Sequence, residues 1–232
     1  MQMADAGVRQ AGTGLNHTMR HRAIIFDCDG TLVDSERVGN AAIVEYLAEL
    51  GLRITLDDAL THFAGRKMAD TLSLIEHWLG SPLPTDFLPK MRLRMAAAFE
   101  AELQPMAGVP DLLQRLPLPY CVASNGPHDK MQVSLQATGL LGFFADRIYS
   151  AYDCQSWKPE PGLFLHAARS MGMAPRDCAV VEDSALGIEA AIAAGMTAYG
   201  YAPHDDGARL AALGARVFHD MRELEMLLFR RS

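Results

Sequence analysis

Short apolar runs alternate with amphipathic segments along most of the chain. The runs with the length and composition of buried strands are residues 23–26, 120–123, 147–150, 178–181, 197–201 and 215–218. Between several of these runs, apolar positions recur with helical spacing, at residues 129–138, 161–171 and 185–194. Strands that alternate with helices in this way predict an α/β fold, with a mostly parallel sheet that helices cover on both faces.

The pattern changes after the first of these runs. Helical spacing occurs there at residues 41–50, 68–79 and 87–103, and no β-branched run typical of a strand interrupts it. Glycine and proline residues separate the three segments, which is typical of helices joined by turns. We predict that residues 35–104 form a small α-helical domain inserted into a core of residues 23–34 and 105–232.

Composition and charge narrow the class of protein. The chain has 232 residues, half of them hydrophobic, which is enough for a sizeable core in one or two domains. Its 21 Lys and Arg against 28 Asp and Glu give a net charge of −7 without a local basic patch, which argues against nucleic-acid binding. Residues 1–22 show no periodicity and are predicted to form a disordered N-terminal extension.

Two further features predict a cytoplasmic protein without a membrane partner. No apolar run approaches the length of a membrane span, and residues 1–22 lack the apolar segment of a signal peptide. The four cysteines are far apart, form no C-x-x-C pair and mostly lie in or beside apolar runs. Such cysteines are expected to be buried free thiols, as in a reducing compartment.

Two carboxylates follow the first predicted strand, in the run Asp27-Cys28-Asp29-Gly30. Residues two apart on an extended chain point the same way, so Asp27 and Asp29 can face one small volume. Gly30 permits a sharp turn and a close approach of the backbone to a ligand. Two neighbouring carboxylates repel each other unless a proton or a hard cation such as Mg²⁺ lies between them. Taken alone, these four residues fit a polar turn equally well.

Polar clusters also follow or flank three later predicted elements. Ser124, Asn125 and Gly126 follow a strand and precede a helix, an arrangement that suits either a phosphate or a turn. Lys158, between Trp157 and Pro159, offers a point charge for a phosphoryl oxygen or is an exposed surface lysine.

The last cluster consists of Glu182 and Asp183, two acids between an apolar strand and a predicted helix. One of them can be a helix N-cap. Because ligands of parallel α/β sheets lie at the carboxyl ends of the strands, all four clusters are expected to meet in one site.

Together the four motifs resemble the haloacid dehalogenase superfamily of phosphoryl-transfer enzymes, in the branch with a helical cap inserted after the first motif. The resemblance covers about residues 23–202. It implies a Rossmann-like, three-layer sandwich core with a small inserted α-helical cap. The second acid, Asp29, implies phosphoryl transfer rather than dehalogenation. Residues 27–36, 124–131 and 157–161 are especially similar to phosphatases that act on 6-phosphogluconate and related sugar phosphates.

The resemblance also implies catalytic roles. Asp27 would be the nucleophile that becomes an aspartyl phosphate, and Asp29 the general acid and then the general base. The implied cofactor is Mg²⁺, held by the Asp27 carboxylate, the Asp29 backbone carbonyl and Asp183. Glu182 would be a direct or water-mediated ligand.

The implied substrate-binding residues lie in the core and in the cap. Ser124, Lys158 and backbone N–H groups near Asp29 and Asn125 would hold the phosphoryl oxygens. Arg66 and Lys67 follow Gly65 in a predicted cap loop. Two interpretations are open for them: they contact a carboxylate or sugar hydroxyls of the substrate, or they are solvated cations of a surface loop. His128 and Lys130, just past Ser124-Asn125-Gly126, can contact the same groups from the core, but they are interpreted as surface residues.

Two other functions remain open at this stage. A mutase of the β-phosphoglucomutase type would share every core motif, but the histidine that such mutases carry in the first cap helix corresponds to Gly39 here. A receiver-like signalling module also pairs acids with Ser or Thr and Lys, but it lacks a long insert after the first strand. The expected partner is a small phosphorylated metabolite, and the expected state is a monomer or weak homodimer.

Overall fold

In the computed structural model, residues 21–63 and 68–229 are described, and six parallel strands form one sheet within these ranges. The strands are β1 (Ala23–Phe26), β2 (Tyr120–Ser124), β3 (Ile148–Ser150), β4 (Cys178–Glu182), β5 (Thr197–Tyr201) and β6 (Arg216–Phe218). Their order in the sheet is β3-β2-β1-β4-β5-β6, and every neighbouring pair is parallel. The carboxyl ends of β2, β1 and β4 therefore lie side by side at the centre of one edge.

Helices occupy the connections between the strands and follow the last strand. Those before β2 are α1 (Ser35–Glu49), α2 (Leu56–Phe63), α3 (Met68–Leu79), α4 (Phe87–Glu102) and α5 (Val109–Arg115). Those after β2 are α6 (His128–Ala137), α7 (Leu141–Phe144), α8 (Ala151–Cys154), α9 (Gly162–Ser170), α10 (Ala185–Ala193), α11 (Ala208–Ala212) and α12 (Met221–Phe229), with a 3₁₀ turn at Pro175–Asp177.

The sheet is buried on both faces. Alternate residues of β1 point into two different apolar clusters, with Ile24 and Phe26 in one and Ala23 and Ile25 in the other. Because successive side chains of a strand point to opposite faces, both faces of the sheet are covered. The predicted three-layer α/β architecture is confirmed.

Helices α1 to α4 have an apolar cluster of their own, distinct from the two clusters of the sheet. It includes Leu47, Ile75 and Met91, and the ring of Tyr46 stacks on Phe87 at a centroid distance of 5.0 Å. We call residues 35–102 the helical segment.

The chain enters and leaves the helical segment through two adjacent stretches of backbone. The Asp34 N–H donates to the Gln104 carbonyl at 3.1 Å, and the Met106 N–H donates to the Leu32 carbonyl at 2.9 Å. Both stretches lie just after β1 in space, so the helical segment is anchored beside the carboxyl edge of the sheet.

The structure differs from the sequence-based boundaries at several points. Helix α1 begins at Ser35, six residues before the periodic segment used to predict it, and α2 was not anticipated at all. His21 and Arg22 do not belong to a disordered extension: the His21 side chain is buried and its Nε2 lies 3.0 Å from the Tyr199 hydroxyl. Residues 1–20 lie outside the described ranges.

The expectation for the cysteines is confirmed: all four are free thiols, and Cys28, Cys121 and Cys178 are buried. Among the described residues, no helix is both long enough and apolar enough to cross a membrane.

Candidate active site

Asp27 lies at the carboxyl end of the central strand. Its N–H donates to the Val181 carbonyl at 2.9 Å, which continues the β1–β4 hydrogen-bond ladder, and its side chain is buried. The backbone then turns sharply at Gly30, whose φ is 80°. A Cβ at Gly30 would lie 2.1 Å from Asp183 Oδ2, so glycine is required for the close approach of these two loops as well as for the turn.

Lys158 is buried between two carboxylates rather than exposed. Its Nζ donates to Asp27 Oδ1, to Glu182 Oε1 at 2.7 Å and to the Ala123 carbonyl at 3.2 Å. The Lys158 N–H also donates to Asn125 Oδ1 at 2.9 Å, which ties the loop before it to the end of β2. The structure therefore excludes the interpretation of Lys158 as a solvated surface lysine.

Burial and the charges of neighbouring side chains shift the pKa values of Asp27, Asp183 and Lys158. Burial raises the pKa of Asp27 to about 7, although the Lys158 ammonium opposes the shift. Burial, together with Glu182 and Asp27, raises the pKa of Asp183 well above its ordinary value. Burial alone would lower the pKa of Lys158, but Asp27 and Glu182 raise it above its usual range. Additional positive charge at this point would stabilise the ionised carboxylates.

Glu182 and Asp183 complete an acidic cluster with Asp27. One carboxylate oxygen from each of the three residues can lie within 4.8 Å of the others. Glu182 Oε2 accepts from both the N–H and the hydroxyl of Ser184, each at 2.8 Å, and Asp183 Oδ1 accepts from the Thr31 hydroxyl at 3.0 Å. Ser184, rather than either acid, caps α10.

Ser124 is the last residue of β2, and its buried hydroxyl accepts from the Gly126 N–H at 3.0 Å. The Gly126 carbonyl in turn accepts from the Ser150 hydroxyl at 2.7 Å. These bonds shape the loop between β2 and α6. Asn125 contacts Lys158, and β2 pairs with β1, so Ser124 lies at the same edge of the sheet as Asp27. We call residues 124–126 the S-N-G loop.

Asp29 lies in a different environment from Asp27. Its Oδ1 accepts from the Ser35 hydroxyl at 2.5 Å, and its Oδ2 accepts from Lys130 Nζ at 2.7 Å. Burial opposes ionisation of Asp29, but the Lys130 ammonium and the hydrogen bonds from Lys130 and Ser35 prevail and lower its pKa. Lys130 is therefore only partly exposed and is paired with Asp29, rather than being a solvated surface lysine. His128 remains partly exposed and forms an ion pair with Asp153 at 2.9 Å.

The structure adds four residues that sequence reasoning did not assign to the site: Thr31, Ser35, Lys130 and Gly187. Thr31 and Ser35 directly follow the aspartate pair, so their position in the first motif was an available signal. Gly187 lies against Glu182, because a Cβ there would be 1.8 Å from Glu182 Oε1. Arg66 and Lys67, predicted to contact the substrate, lie outside the described residues.

Comparisons with known proteins agree with this geometry. The model of the haloacid dehalogenase-like hydrolase family matches residues 21–195. The 6-phosphogluconate phosphatase of Escherichia coli is 36% identical over 189 residues, which cover 80% of this chain and 86% of that protein.

Solved structures show the same likeness. A haloacid dehalogenase-like protein from Agrobacterium tumefaciens is 34% identical with a TM-score of 0.78, covering 89% of this chain and 97% of that one. A hydrolase of the family from Deinococcus radiodurans, crystallised with bound phosphate and sodium, is 30% identical with a TM-score of 0.77. The match covers 92% of this chain and 100% of that one. The chain belongs to the haloacid dehalogenase-like hydrolase family.

Proposed function

We propose that this protein is a Mg²⁺-dependent phosphatase that hydrolyses a small phosphorylated sugar or sugar acid through an aspartyl-phosphate intermediate. The observation that carries the proposal is the Asp27 carboxylate, which lies at the end of the central strand between the Lys158 ammonium and two further acids. The similarity to a 6-phosphogluconate phosphatase supports the choice of substrate class.

In this proposal Asp27 attacks phosphorus and the ester P–O bond breaks, while Asp29 gives a proton to the departing sugar oxygen. Water then attacks phosphorus of the aspartyl phosphate, Asp29 takes up a proton from that water, and Asp27 is released together with inorganic phosphate. Dividing the displacement into two steps is the advantage of a covalent nucleophile. The phosphate dianion beside Asp29 raises the pKa of that carboxyl in the complex and so favours its protonated form for the first step.

The acidic cluster fits Mg²⁺ on two grounds. Its donors are all carboxylate oxygens, which this ion prefers, and its three acids face the single ammonium of Lys158. Burial, with repulsion between the acids as a smaller cause, raises the pKa of Asp27 and of Asp183, so a bound cation would stabilise their ionised forms. Asp27, Asp183 and the Asp29 backbone carbonyl would hold the ion. Glu182 would act through water, since its oxygens are already engaged by Lys158 and Ser184. When bound, Mg²⁺ supplies positive charge that offsets repulsion between a carboxylate and a phosphate.

The phosphoryl oxygens would be held by Ser124, by Lys158 and by backbone N–H groups near Asp29 and Asn125. The Asn125 side chain has a different role in this scheme. Its Oδ1 and Nδ2 both bond to the backbone of Lys158, at 2.9 and 3.5 Å, so it orients the lysine rather than the substrate.

Substrate selection is assigned to the helical segment, acting as a cap over the carboxyl edge of the sheet. Arg66 and Lys67 would contact the carboxylate or hydroxyls of the leaving group. Hydrolysis is favoured over isomerisation because position 39 carries no side chain that can act on the substrate. Gly39 packs against α4, and a Cβ there would lie 3.0 Å from Met95 Cε and 3.4 Å from Phe99. A signalling module would not need the helical segment.

The test is Mg²⁺-dependent phosphate release from a panel of sugar phosphates and phosphorylated sugar acids, with β-glucose 1-phosphate also followed for isomerisation. Asp27→Asn is the blank, and Asp57→Asn, at an exposed position of α2, is the matched control that keeps full activity. Preference for 6-phosphogluconate would support the proposed substrate class. Isomerisation without net phosphate release would establish a mutase instead, and one phosphorylation per chain without turnover would indicate a signalling module.

A further inference from the structure

We propose that Lys130 is a positioning residue for catalysis, which holds the carboxylate of Asp29 in the orientation that proton transfer to the leaving group requires. The inference rests on the proposed function, in which Asp29 is the general acid and base. It adds a residue that the four sequence motifs do not contain.

Both oxygens of the Asp29 carboxylate are held, and each is held from a different element. Ser35, at the start of α1, donates to Oδ1 at 2.5 Å, and Lys130, in the first turn of α6, donates to Oδ2 at 2.7 Å. A carboxylate with a donor on each oxygen has a defined orientation, whereas one with a single donor can rotate about its terminal torsion.

Lys130 and Asp29 both lie next to the S-N-G loop. A Cβ on Gly126 would lie 3.5 Å from Lys130 Cδ, 3.4 Å from Ser124 Oγ and 4.0 Å from Asp29 Oδ2. The lysine stem therefore passes over Gly126, and its ammonium bonds to the Asp29 carboxylate beside the proposed phosphate site.

The two lysines of the site have parallel arrangements. Lys158, in the loop between α8 and α9, bonds to Asp27, and Lys130, in the first turn of α6, bonds to Asp29. Each aspartate of the first motif is therefore paired with one ammonium group. Lys158 is buried and also bonds to Glu182, whereas about a third of the Lys130 side chain is exposed. Lys130 is thus suited to orient a group that faces the substrate.

The chemical consequence depends on the leaving group. A sugar oxygen leaves as a strongly basic alkoxide unless it is protonated, while p-nitrophenolate leaves without a proton. General acid catalysis contributes about 10²–10⁴-fold, and displacement of a catalytic group by about 1 Å can cost about 10²-fold. Loss of the Lys130 ammonium should therefore slow cleavage of sugar phosphates and spare cleavage of p-nitrophenyl phosphate.

The experiment measures kcat/KM, which reports the steps up to departure of the leaving group, in the Mg²⁺-loaded enzyme. The substrates are a neutral sugar phosphate, a phosphorylated sugar acid and p-nitrophenyl phosphate. The variants are Lys130→Met, Lys130→Arg and the control Lys90→Met, which removes an exposed lysine of α4 that is paired with Asp86. Thermal unfolding of each variant is recorded alongside.

We expect Lys130→Met to lower kcat/KM by about 10- to 100-fold, and equally, for both sugar esters, through kcat rather than KM. The change for p-nitrophenyl phosphate should stay below about threefold, since its leaving group needs no acid. Lys130→Arg should recover part of the loss, Lys90→Met should match the wild type, and Lys130→Met should cost nothing further in an Asp29→Asn background.

Three results would overturn the inference. An equal fall on all three substrates, with a lowered melting temperature, would mean a structural role. A loss confined to the phosphorylated sugar acid, and expressed in KM, would mean that Lys130 binds the substrate carboxylate directly. Wild-type values throughout would mean no role. Failure of the proposed function itself is recognised separately, as a wild-type protein that releases no phosphate from any ester.

Discussion

The two aspartates of the first motif are separated by one residue, but they lie in opposite environments. Asp27 is buried among Lys158 and two other acids, and its pKa is raised to about 7. Asp29 is partly exposed and bonded to Lys130 and Ser35, and its pKa is lowered. Neighbouring groups of one type whose environments push their pKa values apart are typical of a site with two distinct roles.

The difference comes from the partners that each aspartate meets. Asp27 continues a buried ladder between two strands, where desolvation is the largest cause of its raised pKa and nearby positive charge is needed to keep the carboxylate ionised. Asp29 lies past the strand end, where the loop turns toward α1 and α6. We therefore expect substitutions around Asp27 to affect stability, metal binding and chemistry together, and those around Asp29 to affect mainly chemistry, with a small effect on stability.

The largest expected effect is on catalysis by the aspartates themselves. Asp27→Asn should lower kcat by at least about 10⁴-fold for every phosphate ester, because the proposed covalent intermediate forms on this carboxylate.

The second aspartate should show a dependence on the leaving group. Asp29→Asn should lower kcat/KM by about 10²–10⁴-fold for sugar phosphates and much less for p-nitrophenyl phosphate. Steady-state kinetics of both variants on sugar phosphates and on p-nitrophenyl phosphate test whether the two aspartates have distinct roles. Similar losses for the two variants on p-nitrophenyl phosphate would show that their roles are not distinct.

The two lysines provide a second contrast, in stability. Lys158→Met leaves Asp27 and Glu182 buried without their cation and should lower the free energy of unfolding by about 3–5 kcal/mol. Lys130→Met removes a partly exposed ion pair and should cost about 1 kcal/mol or less. Urea unfolding of both variants without Mg²⁺ measures these costs. Equal costs would contradict the assignment of Lys158 to the buried cluster and Lys130 to its exposed edge.

Gly187 tests how closely the acidic cluster is packed. Gly187→Ala would place a Cβ 1.8 Å from Glu182 Oε1 and must displace that side chain, so we expect a loss of about 1–3 kcal/mol and weaker Mg²⁺ binding. Gly142→Ala is the matched control, because a Cβ there meets no atom within 4 Å. Thermal unfolding and Mg²⁺ titration of both variants give the comparison. An alanine tolerated equally at the two positions would show that Glu182 moves freely.

The smallest expected effect is a pH-dependent stabilisation by metal. Because the pKa of Asp27 is raised to about 7 in the folded protein, from an unfolded value near 3.8, folding without metal binds a proton between these values. Stability from this group is present at low pH and lost as the pH rises toward 7. Mg²⁺ competes with that proton for the Asp27 carboxylate. Adding Mg²⁺ should therefore raise the melting temperature of the protein by a few degrees or more, and by more at about pH 7.5 than at about pH 5.5. Calorimetry at both pH values tests this, and a larger increase at the lower pH would contradict it.

Much of the fold was predictable because parallel sheets buried on both faces have a strong local pattern. The bounds of β1, β5 and α3 agree with the predicted ones, since apolar composition and flanking turn residues determine them locally. The start of α1 was missed because residues 35–40 are mostly polar, and α2 was missed because eight residues hold only two turns of the pattern.

The candidate site was predicted less evenly. Asp27, Ser124 and Glu182 lie at strand ends, so strand order alone brings them to one edge of the sheet. Lys130 lies in the segment 124–131 that resembles sugar-phosphate phosphatases, but that resemblance did not show whether the side chain faces solvent or reaches back over a loop. Its partner, Asp29, is 101 residues away in the chain.

The sequence by itself determined the alternation of strands and helices, the place of the helical segment and the four motifs at the carboxyl edge of the sheet. These follow from local periodicity and from the rule that parallel strands end at the same edge. Only the tertiary structure decided that Lys158 joins Asp27 to Glu182 and that Lys130 and Ser35 hold Asp29. The direction of a long side chain depends on the packing of elements distant in sequence, and that packing also decides which carboxylate is desolvated and which is paired.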